Sequence, residues 1–153
     1  MKAYAHILAL VIISTTSATI IHTSEDHALT QQRIRALSSA LQEYWDTYQQ
    51  LPLTFTKDKL KASVEVVEIL IGKNYHGQNP KLISFISDKS FTINNDTKPL
   101  RYPEGPVLDA WTNSILIMLD YKTNRAEIRS PGQNSEMDED IKDDLLEIIQ
   151  FEK

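Results

Sequence analysis

Apolar residues follow several different rhythms along this chain, and each rhythm predicts a different element. Residues 3–21, AYAHILALVIISTTSATII, are apolar on all sides and follow a single basic residue, Lys2. One basic residue, an apolar run and small residues form the pattern of an export segment, with Thr16-Ser17-Ala18 as a cleavage site. The run also approaches the ~20 residues that span a bilayer, so an uncleaved anchor is the alternative. The expected organisation is therefore residues 1–22 as signal peptide or membrane anchor and residues 23–153 as one domain.

After the apolar run, Thr23, Ser24, Glu25 and Asp26 offer caps and first-turn carboxylates for a helix start. Ile34, Leu37, Leu41, Tyr44, Trp45 and Tyr48 then recur at helical spacing, with Arg33, Arg35, Gln42 and Asp46 as polar positions, and Leu51-Pro52 closes the pattern. A second helix is predicted from about Asp58 to Ile71, with Leu60, Val64, Val67 and Ile71 on one face and Gly72 as its stop. Gly72 to Pro80, GKNYHGQNP, reads as a loop. Leu82 to Ile86 is a short apolar run of undecided type, and three prolines (Pro99, Pro103, Pro106) mark a long irregular connection.

Ser114 to Tyr121 and Ala126 to Arg129 read as strands joined by a reversal at Lys122 to Arg125. Ile115, Ile117 and Leu119 alternate with Leu116 and Met118, which predicts a strand covered on both faces. Ile141, Leu145, Leu146, Ile148 and Ile149 fall at helical spacing and predict a C-terminal helix capped by Asp138 or Asp140.

Composition narrows the function classes. The 153 residues carry 16 Lys+Arg against 21 Asp+Glu, a net charge of −5, and no Lys/Arg cluster that could track a phosphate backbone, so no nucleic-acid partner is expected. The chain has no Cys, which removes disulfides, thiolate metal sites and Cys nucleophiles together. No G-x-S-x-G setting or Gly-rich phosphate loop occurs, and the four glycines are scattered. His22 and His27, five apart, do not share a helix face, and His76 lies in a Gly-Asn loop away from any carboxylate. The chain is expected not to be an enzyme.

The ordered set from Ala36 to Ile141 resembles the type II secretion pseudopilins, the major subunit in particular. In that family a long helix leaves through a Leu-Pro or Tyr-Pro exit, matched here by Leu51-Pro52. An Asp-Pro-Trp-Gly turn follows, replaced here by Asp109-Ala110-Trp111-Thr112, then a strand pair and a Ser-x-Gly-x-Asp loop running to a closing acidic pair. The loop is matched by Ser130-Pro131-Gly132-Gln133-Asn134 and the acidic pair by Glu139-Asp140.

The resemblance implies an α+β fold. A long N-terminal amphipathic helix would pack on a small antiparallel sheet, followed by a C-terminal acidic loop and a short helix. It also implies a non-enzymatic structural subunit of a type II secretion or type IV pilus-like assembly, at the bacterial inner membrane facing the periplasm. Its partners would be other pseudopilin-like subunits or the secretion assembly platform, with Ala3–Ile21 in the membrane if uncleaved. A soluble exported binding module of the same fold, released to the periplasm by cleavage, is the alternative. Trp111 is expected to pack a hydrophobic corner, with Asp109 ordering the turn that delivers it.

Asn134, Glu136, Asp138 and Asp140 fall on every second position, with Glu139, Asp143 and Asp144 close by. Calcium takes six to eight oxygen ligands, and a loop alternating carboxylates with carbonyls supplies them. In the family such loops hold calcium, which implies Asn134, Asp138, Glu139 and Asp140 as the metal-ligating residues. The same charge spacing also fits a solvated acidic turn whose carboxylates face a helix N-terminus.

Overall fold

The computed structural model describes residues 2–53, 59–61, 63–86, 105–135 and 144–152, with the backbone alone in 2–23, 59–61 and 63. Helix α1 spans Lys2–Tyr48. Strand β1 (Lys59–Lys61) and helix α2 (Ser63–Leu70) follow, with a short 3-10 turn at Tyr75–Gly77. Strands β2 (Leu116–Asp120), β3 (Arg125–Ser130) and β4 (Leu145–Gln150) complete the sheet. Its order is β1-β2-β3-β4, each neighbour antiparallel. The fold is α+β, with α1 laid against β3 and β4 and α2 against β2.

The predicted stripe on α1 forms the centre of the core. Ile34, Leu37, Leu41, Tyr44 and Trp45 are buried in one cluster with Ile117, Leu119, Ala126 and Ile128 of the sheet and Val66, Val67, Ile69 and Leu70 of α2. Trp45 stacks at 5.0 Å on Phe151, just past β4, and its indole N–H donates to the Glu152 carbonyl. The chain's end is thereby fastened to the helix that precedes the sheet.

The loop after α2 is held by Asn79. Gly72, with φ of +107°, ends the helix in a conformation open to glycine. The buried Asn79 amide donates to the Ile69 and Ile83 carbonyls, while its oxygen accepts from Ile83 N–H and from the Tyr48 hydroxyl. His76 is exposed in this loop.

Several elements differ from the sequence-based expectation. Thr23 to Asp26 do not start a helix; α1 runs through them, so their backbone N–H groups have partners in the preceding turn and need no cap. The second helix begins at Ser63 rather than near Asp58, because Lys59, Leu60 and Lys61 pair with Asp120, Leu119 and Met118 as an edge strand. Strand β2 is fully buried on one face, while Leu116 and Met118 on the other are only partly buried.

The expected C-terminal short helix is instead strand β4. Leu145 to Gln150 pair in full with Ser130 to Arg125, and this ladder, with two successive β-branched residues, overrides the helical spacing of the apolar positions. Trp111 is only partly buried and stands outside the core cluster, whereas Ala110 beside it is buried.

Candidate functional site

A buried polar junction ties α1 to the two turns that the sequence motifs mark. Leu108 and Ser114 bridge across a tight loop, and inside it Asp109 N–H donates to the Asn113 carbonyl at 2.8 Å. The Asp109 carboxylate is fully buried and organises the loop from within. Its Oδ1 accepts from Trp111 N–H (2.9 Å) and Asn113 N–H (2.8 Å), an Asx-type arrangement that an aspartate forms with its own downstream backbone.

Its Oδ2 accepts from the Ser130 hydroxyl at 2.7 Å, at the end of β3. Ser130 Oγ in turn accepts from Gly132 N–H at 3.1 Å, and the Asn113 amide donates to the Gly132 carbonyl at 2.8 Å. The Asp109-x-Trp111 turn and the Ser130-Pro131-Gly132 turn are therefore one hydrogen-bonded unit.

Helix α1 holds this unit from the other side. The buried Arg33 guanidinium donates to the Leu108 and Asp109 carbonyls at 2.9 and 3.1 Å, and Thr30 Oγ1 accepts from Ala110 N–H at 3.0 Å. Sequence patterning placed Arg33 among the polar positions. The spacing of Thr30 and Arg33 from Ile34, Leu37 and Leu41 puts them on the buried stripe, and this was the available signal.

Two backbone details bear on the turn. Thr112 adopts φ of +69°, the left-handed region that favours glycine. Ala110 uses its N–H on Thr30, a bond that a proline at this position would forgo.

Chemically, this arrangement is a lock. The Asp109 carboxylate has donors on both oxygens, and Ser130 commits its proton to it in a site closed to solvent. Such a pair fixes the geometry of the two turns.

The residues assigned to a calcium loop lie beyond the Gly132 turn. Asn134 is exposed on that turn, while Asp138, Glu139 and Asp140 lie outside the described residues, as do Glu136 and Asp143. Among the described residues no group of His, Asp and Glu could hold a metal ion. At the loop's return, the Asp144 side chain is buried and forms an ion pair with Arg129 through one oxygen, Oδ2. Its other oxygen, Oδ1, is buried and has no hydrogen-bond partner among the described residues.

Elsewhere, burial pushes the Tyr44 phenol up to about 12, opposed by a hydrogen bond with Gln50 and reinforced by the neighbouring Tyr48 and Tyr121. Among the residues whose side chains are described, no helix is long and apolar enough to cross a membrane; Ala3–Ile21 lies outside them. The chain matches no profile of a known protein family, no curated protein and no solved structure.

Proposed function

We propose that this chain is a non-enzymatic, pseudopilin-like structural subunit of a type II secretion or type IV pilus-like assembly. The observation that carries the reading is Thr112. It occupies the position of the glycine in the family's Asp-Pro-Trp-Gly turn and has the positive φ that explains a glycine there. The bonding of Asp109 to Ser130 adds support, since it gives one physical reason for two motifs distant in the sequence. A long helix laid on a small antiparallel sheet fits the same reading.

Calcium enters this reading through the loop between β3 and β4. Asn134, Asp138, Glu139 and Asp140 are the residues that would hold it, and the buried oxygen Asp144 Oδ1, without a donor among the described residues, fits a nearby cation. A bound divalent ion would relieve the repulsion among these carboxylates and fasten the loop.

Assembly through α1 is testable because the chain has no cysteine of its own. Pairs of cysteines placed within Ala3–Ile21 and oxidised in membranes of the producing cell are expected to give a ladder of cross-linked species, since one cysteine per chain can link only two copies. Only monomer, together with an intact mass lacking Met1 to about Ala18, would replace this reading with the soluble exported module.

A further inference from the structure

We propose that β4 is a self-docking edge, through which two copies of this chain pair antiparallel to make one continuous sheet. Phe151 N–H donates to the Asn124 carbonyl at 2.9 Å, so Phe151 and, by alternation, Ile149, Glu147 and Leu145 turn their backbone groups toward β3. The N–H and C=O groups of Leu146, Ile148 and Gln150 therefore point to the open side. Among the described residues no strand pairs with that side. Leu146 and Ile148 are also exposed, at 36% and 50%.

The two edges of the sheet are built differently. Strand β1, at the other edge, is three residues long with lysine at both ends, the short and charged form that discourages edge pairing. Strand β4 runs for six residues, LLEIIQ, with no lysine and no proline. One edge is blunted and the other is left able to pair.

A second copy is the occupant that fits. The side chains beside the open backbone groups, Leu146, Ile148 and Gln150, carry no charge, so the edge offers nothing for a charged peptide to read and matches an uncharged, half-apolar strand. On the face that carries Leu146, Ile148 and Gln150, β4 is itself such a strand.

Pairing β4 with β4 about Ile148 sets Ile148 opposite Ile148, Leu146 opposite Gln150 and Glu147 opposite Ile149, and closes about six backbone hydrogen bonds. A register centred one residue earlier would set Glu147 against Glu147. In the Ile148 register Asp144 faces Glu152, and the Arg129 ion pair already offsets the Asp144 charge. Such an interface is isologous and closes at two copies. It uses the sheet edge and does not depend on helix contacts through Ala3–Ile21.

The test uses the full chain in a mild detergent that covers the apolar N-terminal segment. Sedimentation is expected to give a protein mass of two copies. Ile148→Cys is expected to form a disulfide-linked dimer on oxidation, and Lys81→Cys, at an exposed site on the loop after α2, is expected to form no disulfide cross-link.

Ile148→Lys should keep the native circular dichroism spectrum and raise the dimer dissociation constant by roughly 100-fold or more. Gln150→Lys, at the strand's end, should weaken the dimer in the same direction and serves if Ile148→Lys does not fold. A monomer at all concentrations, a dimer unaffected by the folded lysine variant, or an Ile148→Cys yield no higher than the Lys81→Cys control would overturn the proposal. So would a monomer whose edge instead captures an unrelated extended peptide.

Discussion

Asp109 and Ser130 lie 21 residues apart in the chain, and the 2.7 Å hydrogen bond between their side chains joins the turn before β2 to the turn after β3. Both groups are fully buried, so each depends on the other for its hydrogen bonding. Ser130→Ala leaves Asp109 Oδ2 and Gly132 N–H without this partner and is expected to cost about 1–3 kcal/mol. Asp109→Ala also strands Trp111 N–H, Asn113 N–H and the Ser130 hydroxyl, and should cost more, about 3–5 kcal/mol. Urea denaturation of both variants measures the difference. Equal, small losses would mean that the two turns hold without the junction.

The two tryptophans separate core from surface. Trp45 is buried against Phe151, and Trp45→Ala is expected to destabilise by about 3–5 kcal/mol. Trp111 is partly buried outside the core cluster, and Trp111→Ala should cost less, about 1–3 kcal/mol, because only part of its apolar surface leaves water on folding. Urea titration gives both values, and a larger loss at Trp111 than at Trp45 would contradict this assignment.

Thr112 is exposed and held at φ of +69°. A left-handed conformation costs a non-glycine residue roughly 1–2 kcal/mol, while glycine loses more entropy on folding, so Thr112→Gly is expected to stabilise by about 1 kcal/mol or slightly less. A rise in the denaturation midpoint with an unchanged slope is the expected result. A fall would mean that the threonine side chain makes a compensating contact.

The α1 stripe and the β2–β3 hairpin were legible because apolar spacing there agrees with the tertiary structure. Strand β4 was not, since Leu145, Leu146, Ile148 and Ile149 share the spacing of a helix face, and only the pairing with β3 selects the strand. At the candidate site, the Asp109 turn and the Ser130 turn were each visible as motifs, but no local pattern announces contact between residues so far apart. The burial of Arg33 has no signal in its residue type, because a guanidinium is usually solvated and here it instead meets two backbone carbonyls within the core. The acidic loop was visible as charge alone, which specifies neither a ligand set nor a cap.

Tyr44 introduces an alkaline limit to stability. Its folded pKa, pushed up to about 12 by burial, exceeds the unfolded value of 10.0. The unfolded chain thus gives up the proton first. The contribution of the neutral phenol is fully present below pH 10 and is lost as pH rises from 10 toward 12. The Tyr44 hydroxyl also donates to the Gln78 carbonyl at 2.7 Å, a bond that the phenolate cannot make. Tyr44→Phe should flatten the fall in denaturation midpoint across that window, and an unchanged slope would assign the alkaline loss to other groups.

The calcium reading of the β3–β4 loop makes a prediction that a solvated acidic turn does not. If Asn134, Asp138, Glu139 and Asp140 bind the ion only in the folded chain, stability rises with free calcium, by ~2.7 kcal/mol at a hundred times the dissociation constant. Magnesium should substitute poorly, since it demands a tighter octahedron and keeps its waters. Asp140→Ala should abolish the calcium response while leaving stability in chelator nearly unchanged, because the site's carboxylates repel one another when no ion is bound. Asp144→Asn tests the return of the loop separately. It removes the Arg129 ion pair and should lower stability with and without calcium. A melting temperature identical in millimolar calcium and in chelator would remove calcium from the proposed function and leave the loop as a solvated turn.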